Sequence, residues 1–160
     1  MKRDQLIFLG VIGAAALIAV IVILATGGDD GSSSAAPTKP EVDVPSGPPP
    51  KTLQTDDITV GDGAEAQAGD TITVEYVGVL YDNGQEFDSS WERPDPFSFQ
   101  LGSGQVIPGW DKGLVGMKVG GRRQLIIPPD LAYGKQGSPP TIGPNATLVF
   151  VVDLTDVQPG

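Results

Sequence analysis

Residues 6–25, LIFLGVIGAAALIAVIVILA, form an unbroken uncharged run, and that run divides the chain before any other feature is weighed. A helix needs about 20 predominantly apolar residues to cross a bilayer's hydrocarbon core, and this run has that length. A secretory signal usually has a shorter apolar stretch and a small-x-small cleavage site. The ATGGDD that follows Leu24 matches that site poorly. The run is therefore expected to be a retained signal anchor, a single transmembrane helix; the alternative is a signal that is cleaved to secrete the rest. Lys2 and Arg3 precede the run, whereas Asp29 and Asp30 follow it. By the positive-inside tendency, residues 1–5 stay in the cytoplasm and the C-terminal part lies outside the cell membrane.

Residues 26–51, TGGDDGSSSAAPTKPEVDVPSGPPPK, are rich in Gly, Ser and Pro and offer little to bury. They read as a linker, flexible in its Gly/Ser half and extended in its Pro half, that holds the next domain off the membrane surface. The folded domain is expected over 52–160. Within it, TITVEYVGVLY at 71–81 alternates so that Ile72, Val74, Tyr76 and Leu80 share one face of a strand. The DNG at 82–84 then supplies a tight hairpin signal, with QEFDSS as the returning strand. PFSFQL at 96–101, RRQLIIP at 122–128 and ATLVFVVDLTDV at 146–157 supply further strands.

One segment breaks the pattern. In VIPGWDKGLVGMKVGG, Pro108 suits the first turn of a helix. Trp110 and Leu114 then share a face, with Ile107 one turn earlier. The glycines at 109, 113 and 116 keep such a helix short, ending near Gly116. A twisted antiparallel sheet burying its apolar face on one short helix is an α+β architecture, with Trp110 facing the sheet.

Composition narrows the chemistry. The chain has no cysteine and no histidine, so thiolate nucleophiles, Ser–His–Asp catalysis and most transition-metal sites are excluded. A net charge of −10 argues against nucleic acid as a partner. The glycines of GSGQVIPG lack the spacing and the lysine of a phosphate loop. Asn145-Ala146-Thr147 matches a glycosylation sequon, a weak signal in isolation. What remains is an aromatic set, Tyr76, Phe87, Phe97, Phe99, Trp110, Tyr133 and Phe150, part of it needed for the core. Two features point past a core role: Asp88 directly after Phe87, and a long loop, DLAYGKQGSPPTIGPNATL, carrying Tyr133 and Ile142.

VEYVGVLYDNGQEFDSS, PFSFQLGSGQVIPGWDKGLVGMKVGGRRQLIIPPDLAYG and IGPNATLVFVVDL resemble, in order and spacing, the FKBP-type peptidyl-prolyl cis–trans isomerases, immunophilins that bind tacrolimus and rapamycin. The resemblance covers about residues 52–157. It implies a half-open antiparallel sheet wrapped over one helix, with an apolar cleft between them for the proline of a substrate. Carried over residue by residue, that cleft falls on Tyr76, Phe87, Asp88, Arg93, Phe97, Gln105, Val106, Ile107, Trp110, Tyr133, Ile142 and Phe150. Trp110 would be its floor, with Phe97, Val106 and Phe150 as walls. The Ile107 N–H and the Tyr133 hydroxyl would donate to the substrate backbone. Asp88 would lie near the rotating bond, held by Tyr76 and Arg93; Asp88, Tyr133, Tyr76 and Phe87 are the catalytic candidates.

The partners so implied are proline-containing polypeptides and macrolide inhibitors, with membrane contact only through the anchor. No cofactor or metal is implied, since rotation about a bond makes and breaks none. Ser138, Thr141 and Gln105 depart from what the best-known members carry, which bears on substrate preference and drug affinity. The leading expectation is an anchored isomerase that assists folding of exported proteins; a non-catalytic proline-docking module on the same fold is the runner-up. Chaperoning without isomerisation is disfavoured because the Tyr133–Ile142 loop lacks the inserted domain that the resemblance associates with strongly chaperoning bacterial members.

Overall fold

The computed structural model describes residues 36–160. The expected anchor at 6–25 and the first part of the expected linker lie outside them. Among the described residues, no helix is long and apolar enough to cross a membrane.

Among the described residues, six strands and one α-helix follow one another: β1 (Gln54–Thr59), β2 (Thr71–Leu80), β3 (Glu86–Ser89), β4 (Phe97–Gln100), α1 (Pro108–Gly113), β5 (Arg122–Ile127) and β6 (Leu148–Gln158), with a 3-10 turn at Pro129–Leu131 ahead of β6. All strand pairings are antiparallel, in the order β1-β5-β6-β2-β3. β4 also joins β2, along Thr71–Val74, while β3 takes the further stretch Val77–Val79. The long β2 and β6 form the spine of the sheet, paired from Thr71↔Gln158 to Leu80↔Leu148. Their β-branched alternation packs one face inward: Ile72, Val74, Tyr76, Phe150, Val152 and Leu154 join Leu125 and Ile127 of β5 around Trp110 and Leu114. The predicted α+β arrangement is the one observed.

α1 begins at Pro108, whose missing N–H is an orphan position in any case. It stops at Gly113, a turn before Gly116, because Leu114 already sits at the C-cap and its N–H returns to the Trp110 carbonyl at 3.0 Å. Arg123 of β5 closes that end. Its Nη1 donates to the carbonyls of Gly113 (2.8 Å) and Val115 (3.1 Å), where a cation also meets the negative end of the helix dipole. The same guanidinium reaches Asp57 of β1 at 2.6 Å, so one side chain ties β1, β5 and α1 together.

Two readings of local sequence give way, and one strand, β1, is found where the sequence announces none. The turn at DNG is not a two-residue hairpin: the Gly84 N–H donates to the Leu80 carbonyl (2.8 Å) and the Asn83 side chain accepts from the Gln85 N–H (2.9 Å), giving a wider loop before β3. Asn83 does not take the left-handed conformation that the tighter turn requires. β1 carries little apolar signal because every residue in it is exposed, and it is held by pairing with β5 alone.

The third difference is larger. The compact unit begins at Thr38, well ahead of Thr52. Val42 and Val44 pack on Val79, Tyr81 and Val149, on the sheet face turned away from α1. Gln124 Nε2 donates to the Asp43 carbonyl (2.8 Å) and Arg122 Nη2 to the Thr38 carbonyl (2.9 Å). The Pro-rich part of the expected spacer is therefore a strap laid across the sheet. It explains why Val77 and Val79, which alternate with the core residues of β2, are buried too. Beneath its end, Arg122 clasps Asp153 through two bonds of 2.6 and 2.7 Å, with the carboxylate almost wholly buried.

Candidate active site

Between α1 and the concave face of the sheet lies a cavity of about 440 Å³. Tyr76, Asp88, Phe97, Gln105, Val106, Ile107, Trp110, Tyr133 and Phe150 line it, as the carry-over predicts, together with Gly104, which the prediction missed. A glycine presents only backbone, so no side-chain pattern could have marked it.

Trp110 is 4 % exposed and is held by aromatic edges. Tyr76 and Phe150 meet it at 5.0 and 5.2 Å in T-shaped contacts, and Phe97 and Phe99 at 6.1 and 5.7 Å. These arrangements set the positive edge of one ring against the negative face of another, which fixes the indole more firmly than area alone. Its Nε1–H is buried with no acceptor within the described residues. Gly78 of β2 makes room for this nest: a Cβ there would lie 2.6 Å from Phe150 and 2.7 Å from Phe87.

At the mouth stands a polar network. The Tyr76 hydroxyl donates to Asp88 Oδ2 at 2.6 Å; Arg93 Nη2 reaches Asp88 Oδ1 at 2.5 Å and its Nη1 the Tyr76 oxygen at 3.3 Å. Asp88 arrives there because β3 bulges. Gly78 faces Asp88 and Val79 faces Glu86, which leaves Phe87 as the extra residue and redirects the strand. The following turn is pinned by Ser90, which is wholly buried. Its Oγ accepts the Tyr76 N–H (2.8 Å) and donates to Glu75, and its own N–H reaches the Tyr76 carbonyl (2.9 Å). EFDSS thus places one carboxylate at the mouth and fastens it to β2.

Burial and the hydrogen bond to Asp88 push the Tyr76 phenol up to about 12. Burial, then the charge of Asp88, raises the Tyr133 phenol as well. Both hydroxyls remain protonated donors at neutral pH. Tyr133 itself is 41 % exposed at the rim.

The loop before α1 is set by Asp111, whose two carboxylate oxygens accept the N–H groups of Gly102 and Gly104, each at 2.9 Å. Both glycines have positive φ, at 80° and 78°, where a side chain would be strained. This turn delivers Gln105, Val106 and Ile107 to the cavity. Gln105 Oε1 accepts the Gln100 N–H at 3.1 Å. Within the described residues no hydrogen bond takes up the Ile107 N–H.

Three predicted cleft residues do not line the cavity. Phe87 stands behind Phe150, edge to face at 5.5 Å, and Arg93 acts through Asp88 and Tyr76. Ile142 is buried in the core cluster, where its loop closes on Ser138 through paired backbone bonds of 2.8 and 2.9 Å.

A family model described as FKBP-type peptidyl-prolyl cis-trans isomerase matches residues 63–155. The chain is 59 % identical over 120 residues to the FK506-binding protein of Streptomyces anulatus, covering 74 % of this chain and 97 % of that one. It is 60 % identical over 94 residues to the peptidyl-prolyl cis-trans isomerase FKBP15-2 of Arabidopsis thaliana, which spans 59 % of this chain and 57 % of that one. Among solved structures, FkpA from Escherichia coli superposes with a TM-score of 0.61 at 50 % identity, covering 67 % of this chain and 48 % of that one. An aromatic cavity floored by a tryptophan, with a carboxylate at its mouth and a family match running from Gly63 to Thr155, identifies this chain as a member of the FKBP-type peptidyl-prolyl cis-trans isomerases.

Proposed function

We propose that the enzyme is membrane-anchored and turns X–Pro bonds of polypeptides folding outside the cytoplasm, with the cavity floored by Trp110 as its catalytic cleft. The observation that carries the catalytic part is the juxtaposition of that apolar cavity with the Tyr76–Asp88–Arg93 network at its rim. In this reading the proline ring rests on the indole between Phe97, Val106 and Phe150. The free Ile107 N–H and the Tyr133 hydroxyl donate to substrate carbonyls on either side.

The chemistry follows from the amide. Rotation about X–Pro faces a barrier of ~18–20 kcal/mol because resonance gives the C–N bond double-bond character. The twisted transition state has lost that resonance and its charge separation, so an apolar wall disfavours it less than it disfavours the planar ground state. The cleft then accelerates rotation by differential binding, with no covalent step. Asp88 lies beside the rotating bond, where its charge acts on the pyramidal nitrogen or on the carbonyl as it turns; Tyr76 and Arg93 hold it in place. Macrolides of the type for which the Streptomyces relative is named would occupy the same cavity.

The anchor and the location outside the cytoplasm are supported by the length of the 6–25 run and by its flanking charges. A protease-coupled isomerisation assay tests the cleft. Asp88→Ala should lower kcat/KM, and FK506 should inhibit the unaltered chain; full activity in Asp88→Ala would reject the assignment. Protease added to intact cells should release a soluble fragment, whereas a mature N-terminus after Leu24 or Ala25 would show secretion instead.

A further inference from the structure

The strap crosses the sheet beside β3, and one of its side chains is placed where β3 needs it. The backbone is held on both sides of Lys39: Thr38 by Arg122 Nη2, and the next residues by the burial of Val42 and Val44 and by Gln124 on the Asp43 carbonyl. Lys39 is thus delivered to a fixed point. From there its Nζ reaches both oxygens of Glu86, at 3.0 and 3.1 Å, and Oε1 of Glu92 at 2.5 Å. Glu86 immediately precedes Phe87 and Asp88, and Glu92 immediately precedes Arg93. One ammonium therefore closes the two ends of the stretch that carries the carboxylate of the cleft. Beside this point Lys39, Pro40 and Val42 line a cavity of about 330 Å³ together with Val77 and Val79.

Charge gives the closure its purpose. Glu86, Asp88 and Glu92 lie in one short stretch whose own cation is Arg93. The strap supplies a second cation: Lys39 joins the two glutamates, and Arg93 holds Asp88 and Tyr76.

From this arrangement we infer that Lys39 is a positioning residue for isomerisation, acting through Glu86 and Glu92 to hold Asp88 and Arg93 in register. The inference rests on the reading of Asp88 as the carboxylate beside the rotating bond. Exposed ion pairs add little to stability, yet a small displacement of a reacting group is felt in rate.

The test compares Lys39→Met, Lys39→Arg, the pair Glu86→Gln with Glu92→Gln, and Asp88→Ala, all in the full chain. Lys39→Met should lose about two- to fivefold in kcat/KM, the size an exposed ion network can carry, with its thermal midpoint nearly unchanged. Lys39→Arg should restore the rate. Raising salt should slow the unaltered enzyme more than Lys39→Met and so narrow the ratio between them, because screening removes the same attraction. The double glutamine variant should match Lys39→Met and covers the case in which that variant folds poorly. Unchanged rates in Lys39→Met and in the double variant, beside a clear loss in Asp88→Ala, would overturn the positioning role alone. Full activity in Asp88→Ala would overturn the reading beneath it.

Discussion

Trp110 carries the sharpest contrast between a core residue and a cleft floor. Truncating a buried aromatic to alanine removes about 3–5 kcal/mol, and leucine keeps part of the lost volume. Trp110→Leu should therefore fold, bind proline ligands weakly and isomerise slowly; a less stable variant with normal activity per folded molecule would make Trp110 core only. With two tryptophans in the chain, a Trp91→Phe background isolates the indole fluorescence of Trp110, which should respond to ligand. Tyr133→Phe removes one rim hydroxyl and no apolar volume, so its loss should stay within about tenfold. Tyr76 offers a test without any substrate. Its folded pKa, pushed up to about 12 from an ordinary 10.0, means that the folded state holds the proton more tightly. The stability this contributes is complete below pH 10 and is lost as pH rises through 12. In a tyrosinate absorbance titration, the final phase, near pH 12, should vanish in Tyr76→Phe. An unchanged final phase would place the perturbation elsewhere.

At the scale of elements, legibility followed burial pattern. β2 and β6 were readable because their β-branched alternation meets a core on one side, and α1 because Pro108 and the Trp110–Leu114 spacing leave few other options. β1 was silent because it buries nothing, and its place comes from pairing with β5 across a long separation. The cavity residues came through resemblance more than through pattern: neither alternation nor charge distinguishes Phe97 at the cavity from Phe99 beneath it. Asp111 was hidden for another reason. Its two acceptors act on backbone N–H groups, which leave no mark in sequence. Asp111→Ala should release the Gly102–Gly104 turn, since a bond to a charged group contributes about 1.5–3 kcal/mol, and the looser placement of Gln105, Val106 and Ile107 should raise KM. A KM unchanged from the parent would show the turn to be fixed by other means. The strap reads as spacer because Gly, Ser and Pro dominate its surroundings, and Val42 and Val44 are too few to register as periodic. Residues 38–160 should accordingly be more stable than 52–160 by about 2 kcal/mol, since the shorter chain exposes Val79, Tyr81 and Val149. Equal denaturation midpoints would return the strap to the status of a tether.

For the molecule as a whole, the strap sets where load enters. Suppose the N-terminal end is held while the sheet is dragged by a polypeptide seated in the cleft. Tension then arrives first at Thr38, on the single bond from Arg122, then at Lys39, then at Asp43. These attachments stand in series along the chain and fail one at a time, as a zip is opened. The long ladder between β2 and β6 has its many bonds side by side and sheds load as a block. In a pulling experiment from the N-terminus, a weak early extension, bounded by the ~45 Å contour of residues 38–50, should precede the cooperative rupture of the sheet. The strap is in that sense a fuse, parting under force before the fold does and drawing Lys39 away from Glu86 and Glu92 as it goes.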